Sequence, residues 1–522
     1  MPLEPGPAPW EILSRGADPR LPIDTWISPW RSLRDAFFGR DDEDSVFLVE
    51  MRDTGASAQR RSWTVAEWKR EVATTAAGLL AAGVRPGDGV AALCGNSAGS
   101  LATAFATWAI GSCYAPLDPT ATDPLQSRAI QAGGVRAITH TAAYARRAGE
   151  LAIELGIATV DLERLPMVGP DALASLPEPG WNRPVLSLHS GGSTGTPKSV
   201  QLTASNLAVN VDAMITAFAW GAETRTLCVL PIHHGNGLLI NSVVPWFAGG
   251  SVVLRDRLRI STFWKDAAAE GVTTASLVPT VLDYLNAGPA AEAGMLTEVF
   301  SGSGPLPTRT AVAFEDKFGI AVRQLYGLAE TTAVLTVTPR AAVIERRQWH
   351  NAGRMLSAGT VVQHAEVAVL SPAGRHCDDG HEGQVVARGG MVMQGYSDSV
   401  ATAAAFADGW FHTGDRGLWW RDSSGARHLF ITGRTKEIIV RGGGEHRSGG
   451  RRRCSAHTSG RGRRSDGRVR APPVRRGGGV RRRRGPAGRR RRADHALHRS
   501  FGAFMGSEGD RAAKRDRADV HR

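Results

Sequence analysis

The chain has 522 residues, 42% of them hydrophobic and 22% charged, with a formal net charge of +13; this length can bury a large core in two to four domains, and the balance excludes wholesale disorder, a collagen-like repeat and a disulfide scaffold. Five scattered cysteines (Cys94, Cys113, Cys228, Cys377, Cys454) with no CxxC pair argue against a zinc ribbon and fit a reducing cytoplasm. The charge is unevenly placed: residues 445–522 hold 24 Arg and one Lys against seven acids, while residues 1–444 are mildly acidic.

In chain order, Met1 to Pro9 carries prolines and an acid where a secretory leader needs a basic start and an apolar run, so no export signal is expected. Gly89 to Leu117 is free of charge and long enough to raise the question of a membrane helix. Gly95-Asn96-Ser97 and Gly111-Ser112 interrupt it, which predicts strand, turn, buried helix and strand in a protein without a membrane span. Apolar runs such as Val90 to Leu93 and Val135 to Thr139 alternate with Ala-rich stretches such as Ala102 to Ile110, the pattern of helix-covered parallel sheets. From about Val361 to Ser397, two short alternating runs separated by Pro372, Gly374 and Asp378-Asp379-Gly380 predict a smaller antiparallel unit. The expected fold is therefore α/β: a large domain of βα-type sheets plus a small antiparallel β unit.

The most specific local string is Ser190-Gly191-Gly192-Ser193-Thr194-Gly195-Thr196-Pro197-Lys198, after a strand-like run at Val185 to Leu188. Its glycines let backbone N–H groups turn toward an anion, its hydroxyls add donors and Lys198 adds charge. The Walker A spacing is missing. Downstream come Leu230-Pro231-Ile232-His233-His234-Gly235-Asn236-Gly237, then Ser301-Gly302-Ser303-Gly304-Pro305-Leu306, Tyr326-Gly327-Leu328-Ala329-Glu330, Gly409-Trp410-Phe411-His412-Thr413-Gly414-Asp415 and Gly433-Arg434-Thr435-Lys436-Glu437. Alone, Glu330 or Asp415 would read as a solvated acid, Tyr326 as packing, and His233 with His234 as a satisfied buried pair.

Together, in this order, the six strings resemble the adenylate-forming superfamily of acyl-CoA synthetases, carrier-protein-loading adenylation domains and luciferases, over roughly Trp30 to Gly443. The resemblance implies ATP-dependent formation of an acyl adenylate from a small carboxylic acid, with Mg²⁺, followed by transfer to coenzyme A or to a carrier-protein phosphopantetheine thiol. It implies that the Ser190 to Lys198 loop holds the β- and γ-phosphates and that Glu330 binds Mg²⁺. Tyr326 would stack on adenine beside a wall of Gly302, Ser303, Gly304 and Pro305. Asp415 would accept from the ribose hydroxyls, Arg434 would help hold the nucleotide, His234 would border the acyl pocket, and Lys436 would sit at the hinge. The family's hydroxyl before the glutamate is Ala329 here, a contact missing or replaced by Thr331. The candidate pocket residues (His234, Gly235, Asn236, Gly237, Ser303, Gly304, Gly327, Thr331) include no Arg or Lys, which favours a monoacid with an apolar or aryl body.

The resemblance divides the chain into an adenylation domain at 1–432, a hinge and start of a small domain at 433–444, and a tail at 445–522. Of the tail's 78 residues, 49 are Arg, Gly, Ala or Pro and only eight are large and apolar, so no core can form. A relative would continue past Gly443 with Glu-Asn-Ile-x-Pro and a small domain ending in a catalytic lysine. Codons for Gly444-Glu445-His446-Arg447-Ser448 yield that string when one nucleotide is deleted, and the same offset makes Ser455 to Asp466 family-like. A frameshift near Gly444 is the expectation, with a disordered tail. The competing reading, a genuine nucleic-acid-binding tail, has only Phe501 and Phe504 as stacking aromatics.

Overall fold

The computed structural model describes residues 30–53, 58–190, 198–341, 343–353, 355–435, 438–441 and 444–447. Two large sheets and one small one organise them. The largest runs in the order Thr360–Val361, Thr336–Val337, Ala321–Tyr326, Glu298–Ser301, Thr274–Leu277, Arg225–Cys228, Ser251–Arg255, Val46–Asp53, Ala58–Thr64. Its six central strands are parallel and its edges antiparallel. The second sheet, in the order Gly395–Tyr396, Lys198–Thr203, Pro184–Ser190, Cys113–Pro116, Gly89–Leu93, Val135–His140, Ala158–Asp161, is also mostly parallel. Strands covered on both faces read as unbroken apolar runs, and Gly89–Leu93 is buried throughout.

The uncharged stretch folds as its interruptions predict, into strand Gly89–Leu93, helix Ala98–Ala109 and strand Cys113–Pro116. Every residue of that helix except Gly99 is buried, as expected of a helix apolar on all sides. Ser97 caps it by accepting from the Ser100 N–H, and the Glu50 carboxylate accepts from the Ala98 N–H at 2.8 Å, a negative group at the helix's positive end. Phe105 of this helix packs on Phe37 of helix Leu33–Phe38, and Phe37 stacks on Trp246 of helix Val244–Phe247 at 4.5 Å, so aromatic contacts join three helices. Such pairs are worth about 0.5–1.5 kcal/mol each beyond the area they bury. Among the described residues no helix is long and apolar enough to cross a membrane.

The small antiparallel sheet contains the predicted hairpin, Ala365–Leu370 with Gly383–Gly389, and continues through Phe406–Ala407, Trp410–Arg421 and Arg427–Arg434. One part of the sequence expectation is corrected. Gly395 and Tyr396 leave this unit and pair with Gln201 and Val200 of the second sheet; a two-residue strand carries no periodicity from which to read its partner. At the far end, Ile438–Arg441 and Gly444–Arg447 form a two-stranded ribbon. Backbone pairing, which needs no apolar period, thus runs three residues past the boundary read from composition.

Helix Ala204–Phe218 clamps these layers together. Asn206 closes its capping box with Thr203 and also donates through Nδ2 to the carbonyls of Gly390 and Val392, at 2.7 and 2.8 Å. One turn on, the Asn210 amide donates to the Val334 carbonyl and accepts from its N–H. Both asparagines are fully buried, so loss of either would strand backbone polar groups in the core.

Candidate active site

Two of the sequence motifs leave the carboxyl edge of the largest sheet, where ligands bind in open α/β sheets. Ser301 and Tyr326 end neighbouring parallel strands. The Gly302 to Pro305 turn and Gly327 follow them directly. A Cβ on Gly327 would lie 2.1 Å from the Ala333 carbonyl oxygen, so only glycine allows the chain to double back there. Asn96, in the turn that follows strand Gly89–Leu93 of the second sheet, fixes the histidine loop: its Oδ1 accepts from the Ile232 N–H at 2.9 Å and its Nδ2 donates to the Leu230 carbonyl at 2.8 Å.

Tyr326 and Asp415 meet although 89 residues separate them; the phenol donates to Asp415 Oδ2 at 2.9 Å. Asp415 lies directly opposite Arg434 in the register of the small sheet, and Arg434 Nε reaches Asp415 Oδ1 at 3.3 Å. The Asp415 N–H donates to the Thr413 hydroxyl, which donates to the Val385 carbonyl, so the backbone under the carboxylate is fixed. Burial raises the Asp415 carboxyl above the usual carboxylate range, while the Tyr326 hydrogen bond and Arg434 oppose that rise. A carboxylate offers about four lone-pair sites. Two are engaged here, which leaves two to accept from a vicinal diol.

Glu330 sits on the turn Ala329–Thr331, with its backbone carbonyl held by the Met393 N–H at 2.7 Å. The residue is only 8% exposed, its carboxylate accepts from the Tyr396 hydroxyl at 2.8 Å, and no ion pair to it is present among the described residues. A buried carboxylate without a cation is the chemistry that a hard divalent ion satisfies. Among the described residues no group of three or more His, Cys, Asp or Glu side chains could hold a metal ion. Lys198, at the start of its strand, holds its ammonium 4.7 Å from the centre of the Tyr396 ring.

The hydroxyl of Thr331 is engaged locally in this structure. Its hydroxyl accepts from the Leu328 N–H at 2.9 Å and donates to the Leu328 carbonyl at 3.1 Å, so its one proton is spent on the turn. The next residue, Thr332, has φ 64° and ψ −63°, and the Ala333 N–H donates back to the Thr331 carbonyl at 2.8 Å. This is a γ-turn with a β-branched residue at its centre, a conformation costing about 1–3 kcal/mol. The Thr332 hydroxyl, donating to the Met391 carbonyl at 2.8 Å, helps hold it.

His233 and His234 lie with ring centres 4.3 Å apart, His233 Nε2 being 3.8 Å from Asp118. Burial, reinforced by His233, pushes His234 down to about 3, and burial lowers His233 as well; Asp118 opposes both shifts. Both rings are therefore neutral at physiological pH. Because the unfolded imidazole titrates near 6.5, this contribution to stability is complete above that pH and falls as the pH drops toward 3, by about 1.4 kcal/mol per pH unit for each proton refused. Urea unfolding at pH 6.5 and 5 should show a loss that His234→Gln reduces by about 2 kcal/mol; an unchanged slope would mean that His234 is not held neutral.

Tyr326, Asp415 and Arg434 thus form one group, and Lys198 and Glu330 form another. Asn236, with Nδ2 3.5 Å from Ser303 Oγ, joins the histidine loop to the Gly302 to Pro305 wall. The Ser190 side chain, Gly191, Gly192, Ser193, Thr194, Gly195, Lys436 and the tail beyond Arg447 lie outside the described residues. Sequence reasoning missed Tyr396 and Thr332. The first lies on a strand too short to show a pattern, and the second is exceptional only in its backbone angles.

Residues 40–397 match the family described as AMP-binding enzyme. The chain is 37% identical over 276 residues to the sulfoacetate–CoA ligase of Cupriavidus necator, an alignment covering 52% of each protein, so the chain spans about half the length of that relative. It is 32% identical over 386 residues to a feruloyl-CoA synthase of an Amycolatopsis species, covering 73% of this chain and 75% of the relative. Among solved structures, apo MatB from Rhodopseudomonas palustris superposes with a TM-score of 0.67 at 25% identity, covering 80% of this chain and 81% of its own. With a family match across most of its length and acyl-CoA ligases among its relatives, this chain belongs to the AMP-binding enzyme family, on its acyl-CoA-synthetase-like side.

Proposed function

We propose that the chain is an AMP-forming acid–thiol ligase: a carboxylate attacks the α-phosphate of ATP, pyrophosphate leaves, and the acyl group passes from acyl-AMP to the thiol of coenzyme A. The observation that best supports this is the meeting of Tyr326, Asp415 and Arg434 across two sheets. It offers a ring face, two free acceptor sites and a cation, complementary in chemistry to adenine, ribose and phosphate. In this reading Asp415 accepts from the ribose hydroxyls, Lys198 and the Ser190 to Lys198 loop face the leaving phosphates, and Glu330 carries Mg²⁺, which when bound neutralises phosphate charge. The chain's own contribution is alignment and charge compensation, which phosphoryl chemistry chiefly requires.

The proposed acid is a monoacid with an apolar or aryl body. The relatives include ligases for sulfoacetate, ferulate and indoleacetate. A sulfonate would bring a second anion toward two neutral histidines and a pocket without Arg or Lys, whereas an aryl body meets no such cost. Pyrophosphate exchange into ATP with a panel of acids should be driven by aryl acids and not by sulfoacetate. No exchange with any acid would overturn the function, and preference for sulfoacetate would overturn the pocket reading. A carrier-protein thiol is the alternative acceptor, separated by offering both thiols. The ligase relatives favour an enzyme over a polyanion-binding protein.

Glu330→Gln keeps the shape and the acceptor for Tyr396 but removes the charge. The Mg²⁺ concentration for half-maximal exchange should rise about tenfold, the size of a lost charged contact. An unchanged Mg²⁺ titration would remove Glu330 from the site.

A further inference from the structure

Two groups that this reading requires, an ammonium for phosphate and a carboxylate for magnesium, stand close together with a tyrosine between them. Tyr396 is fixed by backbone. It pairs with Val200 two residues along the strand that Lys198 begins, its N–H donates to Thr402 Oγ1 at 2.9 Å, and the next N–H, of Ser397, donates to the Ser199 carbonyl at 2.9 Å. From that position its hydroxyl reaches Glu330 Oε1 at 2.8 Å while its ring face lies under the Lys198 ammonium at 4.7 Å. Opposite charges on either side of one side chain, partly shielded from water, attract each other. No ion pair involving Lys198 or Glu330 occurs among the described residues. The ring offers the ammonium a cation–π partner and the hydroxyl offers the carboxylate a hydrogen bond, so each charge is held without neutralising the other.

We propose that Tyr396 is a positioning residue that keeps Lys198 and Glu330 apart, holding the carboxylate by its hydroxyl and the ammonium by its ring so that each remains available to its own part of magnesium–ATP. The inference rests on the roles proposed above for Lys198 and Glu330. A purely structural tyrosine would fill the same volume, but its removal would not be repaired by deleting one of two charges that it does not touch covalently.

The test uses direct binding. Mn²⁺ binding is followed by electron paramagnetic resonance in the presence of ATP, and ATP binding is followed by calorimetry without metal, on the full chain and on Tyr396→Phe, Tyr396→Leu and the double variant Tyr396→Leu with Glu330→Gln. Tyr396→Phe, which removes a single oxygen, should weaken Mn²⁺ about tenfold and leave metal-free ATP binding nearly unchanged. Tyr396→Leu should weaken both, because Lys198 and Glu330 are then free to pair. Adding Glu330→Gln should restore metal-free ATP affinity to within about threefold of the parent chain, since Lys198 loses its competing partner. Unaltered Mn²⁺ affinity in Tyr396→Phe, or an ATP defect in Tyr396→Leu that Glu330→Gln fails to repair, would overturn the proposal. If Tyr396→Leu does not fold, the Phe variant decides alone. Failure of the parent chain to bind ATP at all would instead strike the nucleotide-site reading, and this inference with it.

Discussion

Asp415→Ala should weaken ATP binding by about a hundredfold or more. Each hydrogen bond from a ribose hydroxyl to a charged acceptor is worth about 1.5–3 kcal/mol, and two are at stake. The substitution also strands the buried Tyr326 hydroxyl and leaves Arg434 unpaired, so a stability loss of about 1–3 kcal/mol should accompany it. Asp415→Asn separates the two effects. It retains an acceptor for Tyr326 and the side-chain shape, so the fold should hold while affinity falls about tenfold. Calorimetry with ATP, paired with thermal unfolding, reads both quantities. An ATP dissociation constant within twofold of the parent in a folded Asp415→Ala protein would remove Asp415 from the nucleotide site.

The second large effect concerns the region after Gly443. We propose that residues 445–522 are read out of frame and that the frame one nucleotide away encodes the small domain whose lysine approaches the α-phosphate. A single positioned donor acting on developing charge is typically worth on the order of 10²–10³ in rate. The 522-residue chain should therefore bind ATP, adenylate slowly and make almost no thioester. A gene with one nucleotide removed near codon 444 should adenylate about 10²–10³-fold faster and form acyl-CoA. Resequencing the DNA comes first, and efficient acyl-CoA formation by the chain with its arginine-rich tail would overturn the frameshift reading.

The large sheets were legible because buried parallel strands are written as unbroken apolar runs, and the breaks at Gly95-Asn96-Ser97 and Gly111-Ser112 are turn chemistry that the chain obeys. The hairpin at Ala365–Leu370 and Gly383–Gly389 was legible by alternation. What stayed hidden depends on tertiary contact. Nothing near Tyr396 in sequence marks it as the partner of Glu330, 66 residues away. Thr331 looked like an available hydroxyl because a sequence shows the group but not that its proton is spent on Leu328. The neutrality of His234 likewise follows from what surrounds it in space, and adjacency to His233 supplies only part of it.

The bond between Tyr326 and Asp415 also bears on how this molecule comes apart. The ring belongs to the largest sheet and the carboxylate to the small antiparallel one, so the ribose end of the pocket proposed above would exist only while the two sheets are docked. A ligand that binds only the docked form adds RT ln(1 + [L]/Kd) to the free energy of undocking, about 2.7 kcal/mol at a hundredfold excess over Kd. Nucleotide bound as proposed would thus be a thermodynamic fastener between two units that the backbone bridge of Gly359 with Leu429 also joins. Without it, the small sheet is the part expected to exchange amide hydrogens first; with it, the two units should melt as one.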